Sequence, residues 1–497
     1  MPNDNNFQGE IHVASRIVDY LSSGLYHSPA ACLKELINNS FDADATQVNV
    51  FVKPDAEQII IEDNGYGMNK AEFVKNFSLI SESHKRDDSD VTPLGRPKIG
   101  KIGIGFIAAN EICDEMQIIS TKQGSDELLD VVIMFDLMRQ DPNERRRKET
   151  ELAKADYFGT ISNADPNIQF TQIFLKRIRG EARTILVGAG ITEFSSGKNS
   201  LYGLSPESVG NMLKRDDVRT WSNFDDYSKS ILQVGLNVPV KYHDNWLPIN
   251  YRARLKTFED RLKRLKFTLF FDGSEIRKPI VFHPTGRALI NRFQLDGISV
   301  SAKGYFYAQH GAIKPQELQG LLIRIRHAAV GEYDPSFMGF SSSLGPLFQS
   351  WISGEIFVDD RLEDAMNIDR RTLRIAHPAY VELQRAVHKH IASLLKDVRV
   401  KIHAAGTKTR KTTQAKRIAK NIDTVATGQL KERSPKVAAQ ISRTWSKAPH
   451  NQEQRKKLLR KFGVDELYDL VIEAAQDVLT SRQLSSFLIR LTELLKK

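Results

Sequence analysis

Three short segments, in fixed order within the first 106 residues, constrain this chain more than its length or composition does. Residues 35–45 read ELINNSFDADA, residues 61–68 read IEDNGYGM, and residues 99–106 read IGKIGIGF. The first is predicted to be helical. Ser28 suits the N-cap and Pro29 the first helical position. At about 100° per residue, Leu33, Leu36, Ile37, Ser40 and Phe41 fall on one face, mostly apolar. Glu35, Asn39 and Asp42, spaced i, i+4, i+7, fall together on the opposite face. Burying two carboxylates and an amide in a row is unfavourable unless they meet water, a cation or a ligand. Taken alone, this helix reads as having a solvated polar face.

The next two segments change that reading. Gln58–Glu62 reads as a short strand running into Asp63-Asn64-Gly65-Tyr66-Gly67-Met68. An acid followed by two alternating glycines is a strand end that turns tightly, with backbone free to approach a ligand. A lone Asp-Asn-Gly is more often a hairpin turn. Gly100, Gly103 and Gly105 then precede Phe106-Ile107-Ala108-Ala109, which reads as a helix start. Free amides and the positive end of a helix dipole suit phosphate. No Gly-Lys-Ser/Thr closes the cluster, so it is not a Walker loop. The acid and the polar helix precede the glycines, which is not the Rossmann order either. Together the three segments read as one nucleotide site.

The order helix Glu…Asn, then Asp-x-Gly-x-Gly, then Gly-x-x-Gly-x-Gly resembles the GHKL ATPases: gyrase, the ninety-kilodalton heat-shock chaperone, histidine kinases and MutL. FQGE at 7–10, LYHSPAACLKELINNSFDA at 25–43 and IGKIGIGF at 99–106 resemble the chaperone branch, and DADAT at 42–46 resembles MutL. The fold class implied is α/β (α+β). It comprises an N-terminal two-layer α/β sandwich (Bergerat fold) at 1–200, a helical linker at 201–238, and a chaperone-middle-domain-like α/β transducer at 239–400. A basic segment at 401–461 and an amphipathic helical C-terminus at 462–497 follow, outside the resemblance.

The resemblance also implies roles. Asp63 accepts from the adenine amino group, and Gly65, Gly67 and Met68 let the backbone lie against the base. Asn39 ligates Mg²⁺ through its amide oxygen, a hard donor suited to that ion. Glu35, one helical turn away, orients and deprotonates the attacking water. Gly100, Gly103, Ile104, Gly105 and Phe106 hold the phosphates, and Asp42 supports the adenine pocket directly or through water. The polar stretch 78–99 has no sustained period and resembles the ATP lid. Within it Ser83-His84-Lys85 resembles the Ser-Lys pair of MutL and MORC proteins, so Lys85 or Lys98 would reach phosphate. Family members carry Gly-Thr at a strand matching Phe170–Leu175, which makes Thr171 an adenine contact, although Phe170 stands where they have Gly. Ala365-Met366-Asn367-Ile368-Asp369-Arg370 resembles the chaperone loop that supplies an arginine to the γ-phosphate. Arg370 matches, and its neighbour Arg371 stays open as the alternative.

Elsewhere the chain reads more blandly. Val48, Val50 and Val52 alternate with polar or outward positions, as in a half-buried strand. The second domain is expected from about 239, with strands at Phe267–Phe271, Ile298–Phe306 and Leu321–Ile325. Arg324 and Arg326 alternate with Ile323 and Ile325 and read as the wet face of the last.

Cys32 and Cys113 are the only cysteines, too few for a secreted disulfide framework and not spaced like metal ligands. The start MPNDNNFQGE lacks a basic region followed by an apolar core, and no apolar run is long enough to span a bilayer. A cytoplasmic protein with no membrane contact is expected. The net charge of +10 resides in the tail: residues 401–461 hold 17 basic and 3 acidic residues. Such a segment is an opening for nucleic acid, because phosphate contacts need only charge. None of the 12 histidines forms a phosphoacceptor motif, which argues against a histidine kinase.

The function expected is therefore an ATPase of GHKL type working with ATP and Mg²⁺. It would be a conformational clamp that closes or homodimerises on a protein or DNA client. The alternative is a non-catalytic or partner-activated ATP-binding subunit of a DNA-processing or defence complex.

Overall fold

The structure, a computed structural model, describes residues 28–52, 58–77, 90–100, 105–140, 156–187, 199–284, 286–341, 348–367, 370–403, 471–472, 475–476 and 478–495. The chain divides into two compact units, 1–407 and 408–497. Lys85, Gly103, Ile104, the FQGE segment and nearly all of the basic segment lie outside the described residues.

The first unit is built on two sheets. Strands β1 (Gln47–Val52), β2 (Gln58–Asp63), β3 (Cys113–Thr121), β4 (Glu127–Met134), β5 (Tyr157–Asn163), β6 (Phe170–Ile178), β7 (Thr268–Phe271) and β8 (Ser274–Ile276) make an eight-stranded sheet. Its order is β5-β4-β3-β6-β2-β1-β7-β8. Val48, Val50 and Val52 are buried and alternate with exposed or half-exposed neighbours, the period-2 pattern of a strand with one covered face. The covering layer includes helix α1 (Pro29–Asp42) and helix α2 (Asp226–Asn237), which pack on each other. This is the two-layer α/β sandwich expected. One strand is reassigned. Phe267–Phe271, expected in the second domain, runs parallel to β1 in the first sheet. Such a pairing closes a loop of some two hundred residues, which local pattern does not reveal.

Strands β9 (Ala288–Asp296), β10 (Ser301–Gln309), β11 (Gly320–Ile325), β12 (Ala328–Asp334) and β13 (Ile352–Val358) form the second sheet, in the order β12-β11-β13-β10-β9. Every residue of β11 and β13 is buried, as expected of strands covered on both faces. One face packs on helix α3 (Pro378–Asp397) through Leu383, Val387 and Ile391. The other contributes Tyr305, Tyr307, Leu322 and Phe357 to the core of the first sheet, so the two sheets share one hydrophobic core.

That shared face also carries charge. Arg324 and Glu355 are fully buried and paired, Nε to Oε1 at 2.5 Å. The hydroxyls of Tyr242 and Tyr305 donate to the other Glu355 oxygen. Arg324 Nη1 donates to the Leu236 carbonyl at the end of α2, and the buried Lys278 ammonium donates to the Val238 carbonyl. Arg324 and Arg326 are thus not the wet face of a strand: both are buried, Arg324 against Glu355 and the Leu236 carbonyl, Arg326 against the Lys98 carbonyl, Asp360 and Glu363.

In the second unit the helix Ser481–Leu495 is described. Leu484, Phe487 and Leu488 are half-buried on it while Ile489 is exposed. Among the described residues no helix is long and apolar enough to cross a membrane.

Candidate functional site

Helix α1 begins where the sequence places it. Ser28 Oγ accepts from the Ala31 amide at 3.3 Å, and Pro29 occupies the first turn. Its polar stripe is not solvated. Glu35 is 7% and Asp42 3% exposed, which removes the simpler reading of the helix and requires the stripe to face something polar. It faces the glycine segment. A Cβ on Gly105 would lie 3.4 Å from Asn39 Nδ2 and 3.7 Å from Glu35 Oε2, so the backbone there passes directly over both side chains. Lys34 Nζ lies 3.2 Å from Glu35 Oε1. Gly105–Glu111 is a single 3₁₀ segment rather than an α-helix start, and Phe106 is buried in the core beneath it.

Strand register assembles the second part. Asp63 on β2 pairs with Thr171 on β6, and Thr171 pairs with Ser120 on β3. The three side chains therefore form one row across three strands. Asp63 Oδ2 accepts from Ser40 Oγ at 2.7 Å, and Oδ1 accepts from the Gly65 amide at 2.9 Å. Burial pushes the Asp63 carboxyl up from its ordinary range; the Ser40 hydroxyl and the Gly65 amide oppose that. The Ser120 and Thr171 hydroxyls are 3.0 Å apart. Ser120 Oγ accepts from the Met68 amide at 3.0 Å, and it also lies 3.0 Å from the Phe170 carbonyl. Sequence reasoning missed Ser40 and Ser120. Ser40 was placed on the apolar face, and a buried hydroxyl among apolar neighbours was the signal that it needs a partner.

The turn after Asp63 is fixed by close approach. Gly67 has φ +67°, and a Cβ there would sit 1.9 Å from the Thr121 carbonyl oxygen, so no side chain fits. Tyr66 N donates to the Ala43 carbonyl at 2.9 Å, which ties the turn to the end of α1.

Asp42 is placed by the glycine segment. Its two oxygens accept from the consecutive amides of Ile99 and Gly100 at 2.7 and 2.8 Å. A single carboxylate spans two adjacent N–H groups, so Asp42 clasps the start of the glycine segment. Arg370, from the loop after β13, donates through Nη2 to the Ile99 carbonyl at 2.5 Å. Arg371 turns the other way and pairs with Glu332 at 3.4 Å. Of the two neighbours that sequence leaves equivalent, Arg370 is the one with a hydrogen bond to the described part of the glycine segment, at Ile99. Among the described residues no group of three His, Cys, Asp or Glu side chains is placed to hold a metal by itself.

Comparison with known proteins agrees with this geometry. Residues 26–163 match the family of histidine kinase-, DNA gyrase B- and HSP90-like ATPases. The chain is 35% identical over 115 residues to the putative type II restriction enzyme HgiDII of Herpetosiphon aurantiacus, a match covering 23% of this chain and 18% of that protein. It is 31% identical over 134 residues to the chaperone protein HtpG of Methylobacterium sp. (strain 4-46), covering 22% of each. To HtpG of Bacillus subtilis (strain 168) it is 29% identical over 134 residues, covering 23% of this chain and 21% of that protein. The chain thus spans about a fifth of the length of the curated relatives it matches. Residues 26–163 of this chain are thus similar to the histidine kinase-, DNA gyrase B- and HSP90-like ATPases, with HSP90-type chaperones among the relatives.

Proposed function

We propose that the chain binds and hydrolyses ATP and uses the nucleotide to fix its second sheet against its first, as an ATP-dependent conformational clamp. The observation that carries this reading is Arg370. It comes from the loop that follows the second sheet, yet its guanidinium sits on the Ile99 carbonyl, beside the amides that Asp42 holds. A charge-stabilising group supplied from another layer makes hydrolysis conditional on how the layers are docked.

In this reading Asp63 accepts from the adenine amino group, with Thr171 and Ser120 fixing the floor of the pocket and Gly65, Gly67 and Met68 shaping its wall. Asp42 ties down the Ile99–Gly100 backbone at the start of the glycine segment, whose Gly100, Gly103, Ile104, Gly105 and Phe106 are read as the phosphate-holding residues. Glu35 orients the attacking water and takes its proton. Arg370 balances charge on the γ-phosphate, and Lys85 would reach the same group. Asn39 fits a magnesium ion as one oxygen donor beside the nucleotide's own oxygens; when bound, the ion neutralises phosphate charge.

The client is read as protein or DNA and the working state as a homodimer. HtpG being a chaperone supports the first client, and HgiDII being a putative restriction enzyme supports the second. HgiDII also supports a second reading, an ATP-binding subunit that a DNA-processing or defence partner activates. ATP turnover by the purified chain, with and without duplex DNA, beside Glu35→Ala, tests both. The expected result is slow turnover that Glu35→Ala lowers by about 10²- to 10⁴-fold, with nucleotide binding kept within a few-fold. Binding without turnover, unchanged by Glu35→Ala, would replace the clamp with the subunit reading.

A further inference from the structure

We propose that Arg326 is a positioning residue that fixes the start of the glycine segment against the second sheet and so gives the site its preference for a triphosphate. The inference rests on the nucleotide-site reading above and deepens it.

Arg326 and His327 are the two central residues of the tight turn joining β11 to β12, closed by the Ile325–Ala328 pair. Both have positive φ, +50° and +73°. Two-residue hairpin turns of this form favour Asn-Gly, because a Cβ is strained at positive φ. A turn that keeps Arg-His there is held by what its side chains do. Only 3% of the Arg326 side chain is exposed. Its Nη1 donates to the Lys98 carbonyl at 2.5 Å, across from the second-sheet turn to the segment that leads into the glycines. Its Nε donates to Asp360 at 2.8 Å, and Nη2 lies 3.3 Å from Asp90 and 3.4 Å from Glu363. Asp360 and Glu363 belong to the second-sheet side and Asp90 to the segment leading into the glycines, so one guanidinium bridges the two.

Residues 90–100 are otherwise a small ordered hook. Lys98 N donates to the Asp90 carbonyl, and Leu94 N donates to Asp44. The buried Arg96 donates to the carbonyls of Ala45 and Lys266. Three consecutive residues at its end are gripped from three directions. Arg326 holds the Lys98 carbonyl, Arg370 the Ile99 carbonyl, and Asp42 the Ile99 and Gly100 amides. Among the described residues Arg370 has no acidic partner in that grip, whereas Arg326 faces three carboxylates. Arg326 is thus the fixed member and Arg370 the one free to exchange its carbonyl for a γ-phosphate. If Arg326 lets go, the backbone that presents the phosphate-facing amides loses its register with Arg370. The cost falls on the γ-phosphate end of the ligand and spares the adenine end, which is set by Asp63.

The test is binding of ATP and of ADP, each with magnesium, to the full-length chain by titration calorimetry. Wild type, Arg326→Ala and Arg326→Lys are compared, and each is melted without nucleotide. Arg326→Ala is expected to weaken ATP about tenfold and ADP less than twofold, while Arg326→Lys keeps ATP within about threefold of wild type. Equal losses for ATP and ADP would make Arg326 a general structural support and overturn the inference, as would an unchanged ATP/ADP ratio. Wild type binding neither nucleotide would instead overturn the reading of the site itself. If Arg326→Ala does not fold, the ATP/ADP ratio of Asp90→Asn/Asp360→Asn, which strips the partners and keeps the arginine, decides in the same way.

Discussion

Asp63 and Glu355 are both buried carboxylates on strands of the same folding unit, and their surroundings differ. Glu355 faces Arg324 at 2.5 Å, with Lys278 and two tyrosine hydroxyls around it. Burial would raise its carboxyl, but Arg324, Lys278 and those hydroxyls outweigh burial and hold it below the usual range. Asp63 accepts only from neutral donors, the Ser40 hydroxyl and the Gly65 amide, and has no cation partner among the described residues. Its carboxyl is raised. A carboxylate matched to a cation inside a sealed core is a fastener: all it can do is hold neighbouring strands of the second sheet to each other and to the end of α2. A carboxylate left with hydrogen-bonding capacity beside a glycine turn is available to a ligand, and the fold tolerates the cost of its burial there.

The widest separation between the two comes from breaking each in turn. Arg324→Met leaves Glu355 buried without its counter-ion and should cost about 3–5 kcal/mol of stability, read as a shift in the urea midpoint with unchanged slope. The double variant Arg324→Met/Glu355→Leu should recover most of that loss, since an apolar replacement of a buried pair is often neutral. A single variant costing under about 1 kcal/mol would mean the junction is wetter than a fastener requires. Asp63→Asn should do the reverse. Stability should hold or rise slightly, while ATP affinity falls about 10- to 100-fold, the loss of a charged hydrogen bond worth about 1.5–3 kcal/mol. A destabilised Asp63→Asn that still binds ATP normally would erase the distinction.

The same contrast explains what could be read from the sequence. The cap at Ser28, the α1 stripe and the glycines are local patterns set by periodicity and backbone freedom, and they were legible. The row Asp63–Thr171–Ser120 was only partly legible, because register across β2, β6 and β3 joins residues far apart in the chain. Thr171 came from family likeness, and Ser120 had no local signal at all. The grip of Asp42 on the amides of 99 and 100 was not legible for the same reason: those partners approach through folding, not spacing. Arg370 and Arg371 could not be separated because side-chain direction there depends on an unusual φ of +52° at Arg370. Arg324 and Arg326 misled most, since alternation marks one covered face and says nothing of the helix end and loop segments packed on the other.

The subtlest effect expected is a matter of proton balance at Asp63. Its folded carboxyl is raised, so the folded state binds that proton more tightly than the unfolded chain does. Any stability it contributes is therefore fully present at low pH and is lost as pH rises through the folded value. Ligand binding runs the other way, because the ionised carboxylate is the better acceptor for an adenine amino group. ATP affinity should thus decline as pH falls, starting at a higher pH than an ordinary aspartate would set. Ser40→Ala removes a hydrogen bond that favours the ionised form, raises the carboxyl further and should move that onset to still higher pH. At pH 8 the same variant should weaken ATP only about fivefold, the worth of one net hydrogen bond at about 1 kcal/mol. Affinity measured from pH 5 to 8 for both proteins decides it. Coincident profiles, or an onset moved to lower pH, would mean that Ser40 does not hold Asp63 in its charged form, and that burial alone sets the site's acidity.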